Sequence, residues 1–149
     1  MRDNHAMIQI RVATAADRSS IVSLVVWAGL VPTGLDWRRF LVACDGEWIV
    51  GCVQVRVHHD GRELSSMVVA QTHRHRGIAS RLVNALLAWE VGDLYLLCAE
   101  RLRNFYARFG FVEVDGAELP EMLRRKRAAG RFFGLPVICM RRFPSDASR

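Results

Sequence analysis

Chemistry concentrates first in the stretch from Ser65 to Val83, where the β-rich run Met67-Val68-Val69 enters the basic turn His73-Arg74-His75-Arg76-Gly77 and then an apolar helical periodicity beginning at Ile78. Such a strand, turn and helix form an anion site. Amides in the first helical turn lack intrahelical partners, and the helix dipole places partial positive charge there. Gly77 and Ala79 keep side chains out of the way of an approaching phosphate, and Arg74 and Arg76 add charge. With one glycine and no lysine, the turn fits neither the G-x-x-x-x-G-K-[ST] loop of ATP sites nor the G-x-G-x-x-G loop of dinucleotide sites.

A second segment, Asn104-Phe105-Tyr106-Ala107-Arg108-Phe109-Gly110-Phe111, lies about thirty residues downstream. Phe105 and Phe109 stand four apart on one face of a short helix, Gly110 suits a left-handed C-terminal position, and Phe111 opens a strand. Tyr106 projects from another face. By itself it reads equally as a boundary tyrosine with a bonded hydroxyl or as a working phenol.

Together the two segments resemble the GNAT superfamily of N-acetyltransferases. Arg74, Gly77 and Ala79 match its Arg/Gln-x-x-Gly-x-Gly/Ala signature, and Phe105 to Phe111 matches its F-Y-x-x-x-G-F element. The resemblance implies acetyl-CoA as co-substrate, with the pyrophosphate on the loop of Arg74, His75, Arg76, Gly77, Ile78, Ala79 and Ser80. It implies pantetheine pairing with the main chain of Met67, Val68 and Val69, with the Val69 N–H on the acetyl carbonyl. It makes Tyr106 the general acid toward the departing CoA thiolate, and places it beside the cofactor. Direct attack by an amine in a ternary complex requires no covalent enzyme intermediate, in keeping with cysteines that have no His/Asp escort. In two respects the sequence departs from the family's commonest pattern: the asparagine common seven residues before the tyrosine is Ala99 here, with Asn104 two before, and the turn has Ala79 rather than a second glycine, a variation the family tolerates.

The general base is open among three residues. Strand alternation puts Glu63 on the same face as Ser65, Met67 and Val69 unless a bulge intervenes; its bland reading is a solvent-facing carboxylate at a strand end. Glu100 and His58 are the other candidates, His58 having a near-neutral reference pKa.

These residues need a scaffold, and 149 residues, 51% hydrophobic, suffice for one domain with one core. The chain shows no linker, repeat or low-complexity tract, and 144–149 reads as a loose tail. Ile8 to Val12 alternates as a strand, Thr14 caps a helix to about Ala28, and Phe40 to Ala43 with Trp48 to Val57 form a hairpin across Asp45-Gly46. Asp60-Gly61 leads into a strand from Glu63 to Ala70. Then come a helix from Gly77 to about Glu90 on Ile78, Leu82, Val83, Leu86, Leu87 and Trp89, and a strand from Leu94 to Cys98. A helix over 101–109, a strand over 111–114, a helix from Leu119 to about Ala129 and a strand from Val137 to Arg142 complete the order. The sum is an α/β (α+β) fold, a GNAT-type mixed, mostly antiparallel sheet with helices on both faces.

Ile21 to Val31, the most apolar run, is interrupted by Ser23 and Gly29 and stopped by Pro32, short of a membrane span. No secretory segment is evident, and Cys44, Cys52, Cys98 and Cys139 never reach C-x-x-C spacing. A cytoplasmic, bacterial enzyme with reduced thiols and no metal is expected. Net charge is +6, and Lys126 is the single lysine among 21 Lys and Arg residues. That sign suits an anionic co-substrate and also permits nucleic acid. The run Arg124-Arg125-Lys126-Arg127 with Arg131 reads better as a solvated helix face, with only Phe132 and Phe133 nearby for stacking. The expected activity is acetyl transfer from acetyl-CoA to a primary amine, the acceptor a small amino-acid-like molecule, in a chain able to form a homodimer. The rival readings are a catalytically silent CoA-binding regulator and a basic nucleic-acid module.

Overall fold

A computed structural model describes residues 7–132 and 136–144, without the side chains of 130–132. The side chains of Arg131 and Phe132, all of Phe133, and the tail beyond Pro144 therefore lie outside the described residues. Seven strands, β1 (Gln9–Val12), β2 (Phe40–Asp45), β3 (Trp48–His58), β4 (Gly61–Val69), β5 (Leu94–Ala99), β6 (Val112–Glu113) and β7 (Val137–Arg142), form one sheet in the order β1-β2-β3-β4-β5-β7-β6. Four helices accompany them: α1 (Arg18–Trp27), α2 (Ile78–Leu87), α3 (Arg103–Ala107) and α4 (Glu121–Phe132). The pairs β1–β2, β2–β3, β5–β7 and β6–β7 are antiparallel, and β4 runs parallel to β5 with Glu63 opposite Tyr95.

The chain gathers into two compact units. The first comprises the described residues up to Gln54 together with Ser66–Ala88. Its strands place Phe40, Val42 and Cys44 on one face, where Ile21 and Val25 of α1 and Val68 of β4 pack, all nearly without solvent exposure. The opposite face receives α2. Gly51 keeps that approach close: a Cβ would lie a tight 3.2 Å from Leu82 Cδ1 and 3.3 Å from the Val68 carbonyl oxygen. Pleating thus sends α1 and α2 to opposite sides of one strand pair.

The second unit comprises Val55–Ser65 and the described residues from Trp89 onward. Its core joins Tyr95, Leu119, Leu123 and Cys139. A long-range cap starts α4: the Glu121 N–H donates to Asp60 Oδ2 at 2.9 Å.

Element order follows the sequence expectation, and the departures are local. The helix after Thr14 opens with a 3-10 turn at Ala15–Asp17; Thr14 stands at its N-cap as expected, in a capping box with Asp17, which accepts from the Thr14 N–H at 2.7 Å and from both Arg11 terminal nitrogens. That cluster holds the Asp17 carboxyl down at about 2, chiefly through the Arg11 hydrogen bonds, against desolvation. α2 ends at Leu87, so Trp89 stands 66% exposed instead of packing with the helix's apolar stripe. The four cysteines are buried and none is in a disulfide; burial lifts the Cys52 thiol to about 12 and the Cys98 thiol to about 11.

Candidate functional site

In the first unit, β4 delivers the loop that the sequence singles out. The Ala70 N–H donates to the Val50 carbonyl at 2.7 Å, tying the strand end to β3. A 3-10 turn at Gln71–His73 follows, and His73 Nε2 lies 2.9 Å from Asp45 Oδ2 while its Nδ1 lies 2.8 Å from Thr72 Oγ1. The loop is thus pinned to the β2–β3 turn. His75 (φ +64°) and Gly77 (φ +76°) both take left-handed backbone, which turns the chain sharply before α2 begins at Ile78. The first helical hydrogen bond there, from Arg81 N–H to the Gly77 carbonyl, spans 3.1 Å. The N–H groups of Ile78, Ala79 and Ser80 accordingly have no carbonyl within the helix to meet. A Cβ on Gly77 would meet nothing within 4 Å, so the approach to these amides is open. Residues 74–77 are exposed and Ile78 is buried beneath them.

Met67, Val68 and Val69 lead directly into this loop. Arg74 Nε donates to the Val69 carbonyl at 3.3 Å, which folds the guanidinium back along the strand end. A cavity of about 590 Å³ adjoins Val68, Val69, Ala70, Gln71 and Arg74, walled on its far side by Ser19, Ser23 and Trp27 of α1 and by Trp48 of β3. Its size is that of small-molecule sites. Trp27 and Trp48 are 87% and 78% exposed, large apolar surfaces at the rim that sequence patterning had no means of assigning.

Within β4, Ser66 has φ +54° although it is not glycine. The side chain of Gln54, fully buried, donates to Ser66 Oγ at 2.9 Å, and Cys52 Sγ lies 3.5 Å from the Ser66 carbonyl. A left-handed residue inside a strand breaks the alternation, so the facing of Glu63 does not carry over to Met67 and Val69 by simple parity. Gln54 and Ser66 shape this strand end and composition hides them; a glutamine within the apolar run from Val50 to Val55 is their one sequence signal.

The second unit holds Glu63 and Tyr106. Glu63 is 3% exposed, which corrects the expectation of a solvent-facing carboxylate. Its Oε1 lies 2.9 Å from His58 Nε2, and Lys126 Nζ donates to both carboxylate oxygens at 2.9 and 3.1 Å. His58, expected as a hairpin residue or base, is thus a partner of Glu63, and Lys126 leaves the expected solvated face of α4 to reach it. Arg125 fulfils that expectation, pairing with Glu121 across one helical turn. Glu100, the third candidate base, is exposed and lies 3.6 Å from Arg103.

Tyr106 is 4% exposed and sits edge-on to Phe105 (4.9 Å) and Phe111 (5.8 Å). Desolvation pushes its phenol well above the usual tyrosine value, with a smaller contribution from Cys98, so the hydroxyl keeps its proton at neutral pH. The segment folds as its spacing predicts. Phe105 and Phe109 pack at 5.3 Å, and Gly110 takes φ +89°, ending the helix. Asn104 is exposed, and Ala99 ends β5. Among the described residues no cluster of His, Cys, Asp and Glu could hold a metal ion, and no helix is long and apolar enough to cross a membrane.

A protein-family model described as an acetyltransferase (GNAT) domain matches residues 36–113, which include β4, the basic loop and the Tyr106 segment. The chain belongs to the GNAT acetyltransferase family. A search of curated proteins returned no match. Among solved structures, this GNAT chain is similar to Neisseria gonorrhoeae N-acetylglutamate synthase complexed with coenzyme A and N-acetyl-glutamate (TM-score 0.70, 18% identity, 95% of this chain and 36% of the synthase). The chain therefore spans about a third of that protein. It is also similar to Rv2747 from Mycobacterium tuberculosis in complex with CoA and NLQ (0.72, 20%, 92% and 99%). A third likeness is an acyl-CoA N-acyltransferase from Pseudomonas aeruginosa (0.68, 18%, 91% and 99%). At these identities the likeness concerns the fold.

Proposed function

We propose that the chain transfers the acetyl group of acetyl-CoA directly to the primary amine of a small, amino-acid-like acceptor. The observation that carries this reading is the open loop from Arg74 to Ser80, whose two left-handed residues aim a set of first-turn amides outward. Those amides, with Arg74 and Arg76, suit a pyrophosphate. The exposed loop and the open space at Gly77 fit a phosphorylated co-substrate, which supplies the activated acetyl thioester.

In this reading Met67, Val68 and Val69 present main-chain groups to the pantetheine arm, and the Val69 N–H donates to the acetyl carbonyl oxygen. Such a donor stabilises the negative charge that develops on that oxygen as the amine attacks. Holding both reactants in one place supplies much of the remaining acceleration. Tyr106 gives its proton to the thiolate. A phenol kept protonated by burial is fitted to donate, since it holds its proton until a strong base forms beside it. Glu63, held by Lys126 on both oxygens and by His58 on one, is the carboxylate assigned the proton that the ammonium must lose before attack, which requires Lys126 to yield an oxygen.

The amino-acid-like acceptor is supported by the Neisseria gonorrhoeae synthase, whose structure contains N-acetyl-glutamate. Arginines in the first unit could pair with an acceptor carboxylate; Arg38, 70% exposed at its side chain, lies over the Trp37 ring. An acceptor screen that measures CoA thiol release and acetylated product tests this. Turnover is expected with free amino acids and related amines, and strong activity confined to lysine-rich peptides would refute the substrate class.

A further inference from the structure

Two tryptophans stand at the rim of the cavity beside the β4 end. Trp27, the last residue of α1, and Trp48, the first of β3, are 87% and 78% exposed, so neither contributes much to a core. A single exposed aromatic is ordinary. Two on one cavity of about 590 Å³ present flat apolar faces to whatever enters it.

The position of Trp48 points to the ligand. It stands opposite Asp45 in the β2–β3 ladder, and cross-strand partners share a face of the sheet with Cβ atoms about 5 Å apart. Asp45 Oδ2 in turn lies 2.9 Å from His73 Nε2, and Arg74 and the left-handed turn through Gly77 follow at once. One ladder pair and one hydrogen bond thus tie Trp48 to the turn that suits a pyrophosphate, and Arg74 of that turn lines the same cavity. All of these residues belong to the first unit. A ligand with its phosphates on the turn carries its next ring, one ribose away, toward the two indoles.

We propose that this cavity takes the adenine ring of CoA, stacked against Trp48 with Trp27 as the second wall. The inference rests on the acetyl-CoA reading above. A purine is flat and uncharged, so an indole face holds it without an ionic partner. Ser23 and Gln71, on the same wall, offer polar groups to the ring nitrogens.

Calorimetric titration of the full chain with CoA and with 4′-phosphopantetheine, which lacks the adenosine bisphosphate portion, tests this alongside tryptophan fluorescence. Wild type should bind CoA more tightly than phosphopantetheine, and CoA should quench the fluorescence more. The affinity advantage of CoA should shrink about tenfold in Trp48→Ala and up to about a hundredfold when Trp27→Ala is added, with phosphopantetheine affinity unchanged. Both side chains are exposed, so Tm should stay within about 2 °C of wild type and the variants remain measurable. An unchanged CoA advantage in the double variant, including one that instead raises KM for the amine, would overturn the adenine site and leave the acetyl-CoA reading intact. Equal loss for both ligands would put the indoles on the pantetheine arm and overturn it as well. A wild type that binds neither ligand would overturn both the site and the reading.

Discussion

Gly77 separates backbone strain from ligand approach, because its left-handed conformation (φ +76°, ψ +12°) comes with empty space around the position a Cβ would take. A side chain there collides with nothing, so the stability cost is the conformational one alone, about 1–2 kcal/mol for alanine. For a domain of this length that is a fall in Tm of roughly 3–6 °C. Asparagine visits the left-handed region more readily, so Gly77→Asn should be the more stable of the two variants. Ligand binding should not follow that ranking. Either side chain projects where a phosphate would reach the amides of Ile78, Ala79 and Ser80, and each charge-assisted bond lost costs about 1.5–3 kcal/mol. Affinity for CoA should therefore fall by about ten- to a hundredfold in both variants, and further in Gly77→Glu, which adds like charge. Scanning calorimetry supplies the stability difference and titration calorimetry the affinity. A Gly77→Asn protein that folds and binds CoA as tightly as the wild type would refute the placement of the pyrophosphate on this turn.

Tyr106→Phe keeps the ring between Phe105 and Phe111 and removes only the hydroxyl. It should bind acetyl-CoA normally and lose turnover by about a hundredfold; unchanged turnover across pH would mean that another group protonates the thiolate. Asp17, held at about 2 against an ordinary 3.8, adds about 2.4 kcal/mol of stability above the ordinary value, lost as pH falls toward 2. Asp17→Asn should therefore lower the urea midpoint at pH 7, and the gap to wild type should narrow below pH 4; a gap constant from pH 7 to 2.5 would contradict the Arg11–Asp17 account.

How far the sequence reaches depends on how local the determining physics is. The β2–β3 turn at Asp45-Gly46, the α2 stripe of Ile78, Leu82, Val83 and Leu86, and the helix stop at Gly110 are set by neighbours within a few residues, and they form where spacing places them. The loop from Arg74 to Gly77 is legible for the same reason. Trp89 fails because helical periodicity cannot say where a helix stops, and α2 stops at Leu87. Ser66 is illegible, since its left-handed turn inside β4 is held by Gln54, a partner twelve residues away across the strands. The Glu63–Lys126 pair joins residues 63 apart in sequence, so a lysine within a basic run reads as solvated until the fold delivers it to a carboxylate. The local backbone of the basic loop was thus readable, whereas the environment of the proposed base was not.

The most direct measurement is the thermal stability of the full chain with acetyl-CoA, CoA, ATP and NADH at saturating concentration. Binding at a hundredfold excess over Kd adds about 2.7 kcal/mol, a rise of roughly 5–10 °C. The account predicts that rise with the two CoA species alone and its loss in Gly77→Glu. An equal rise with ATP or NADH, or none with either CoA species, would contradict it.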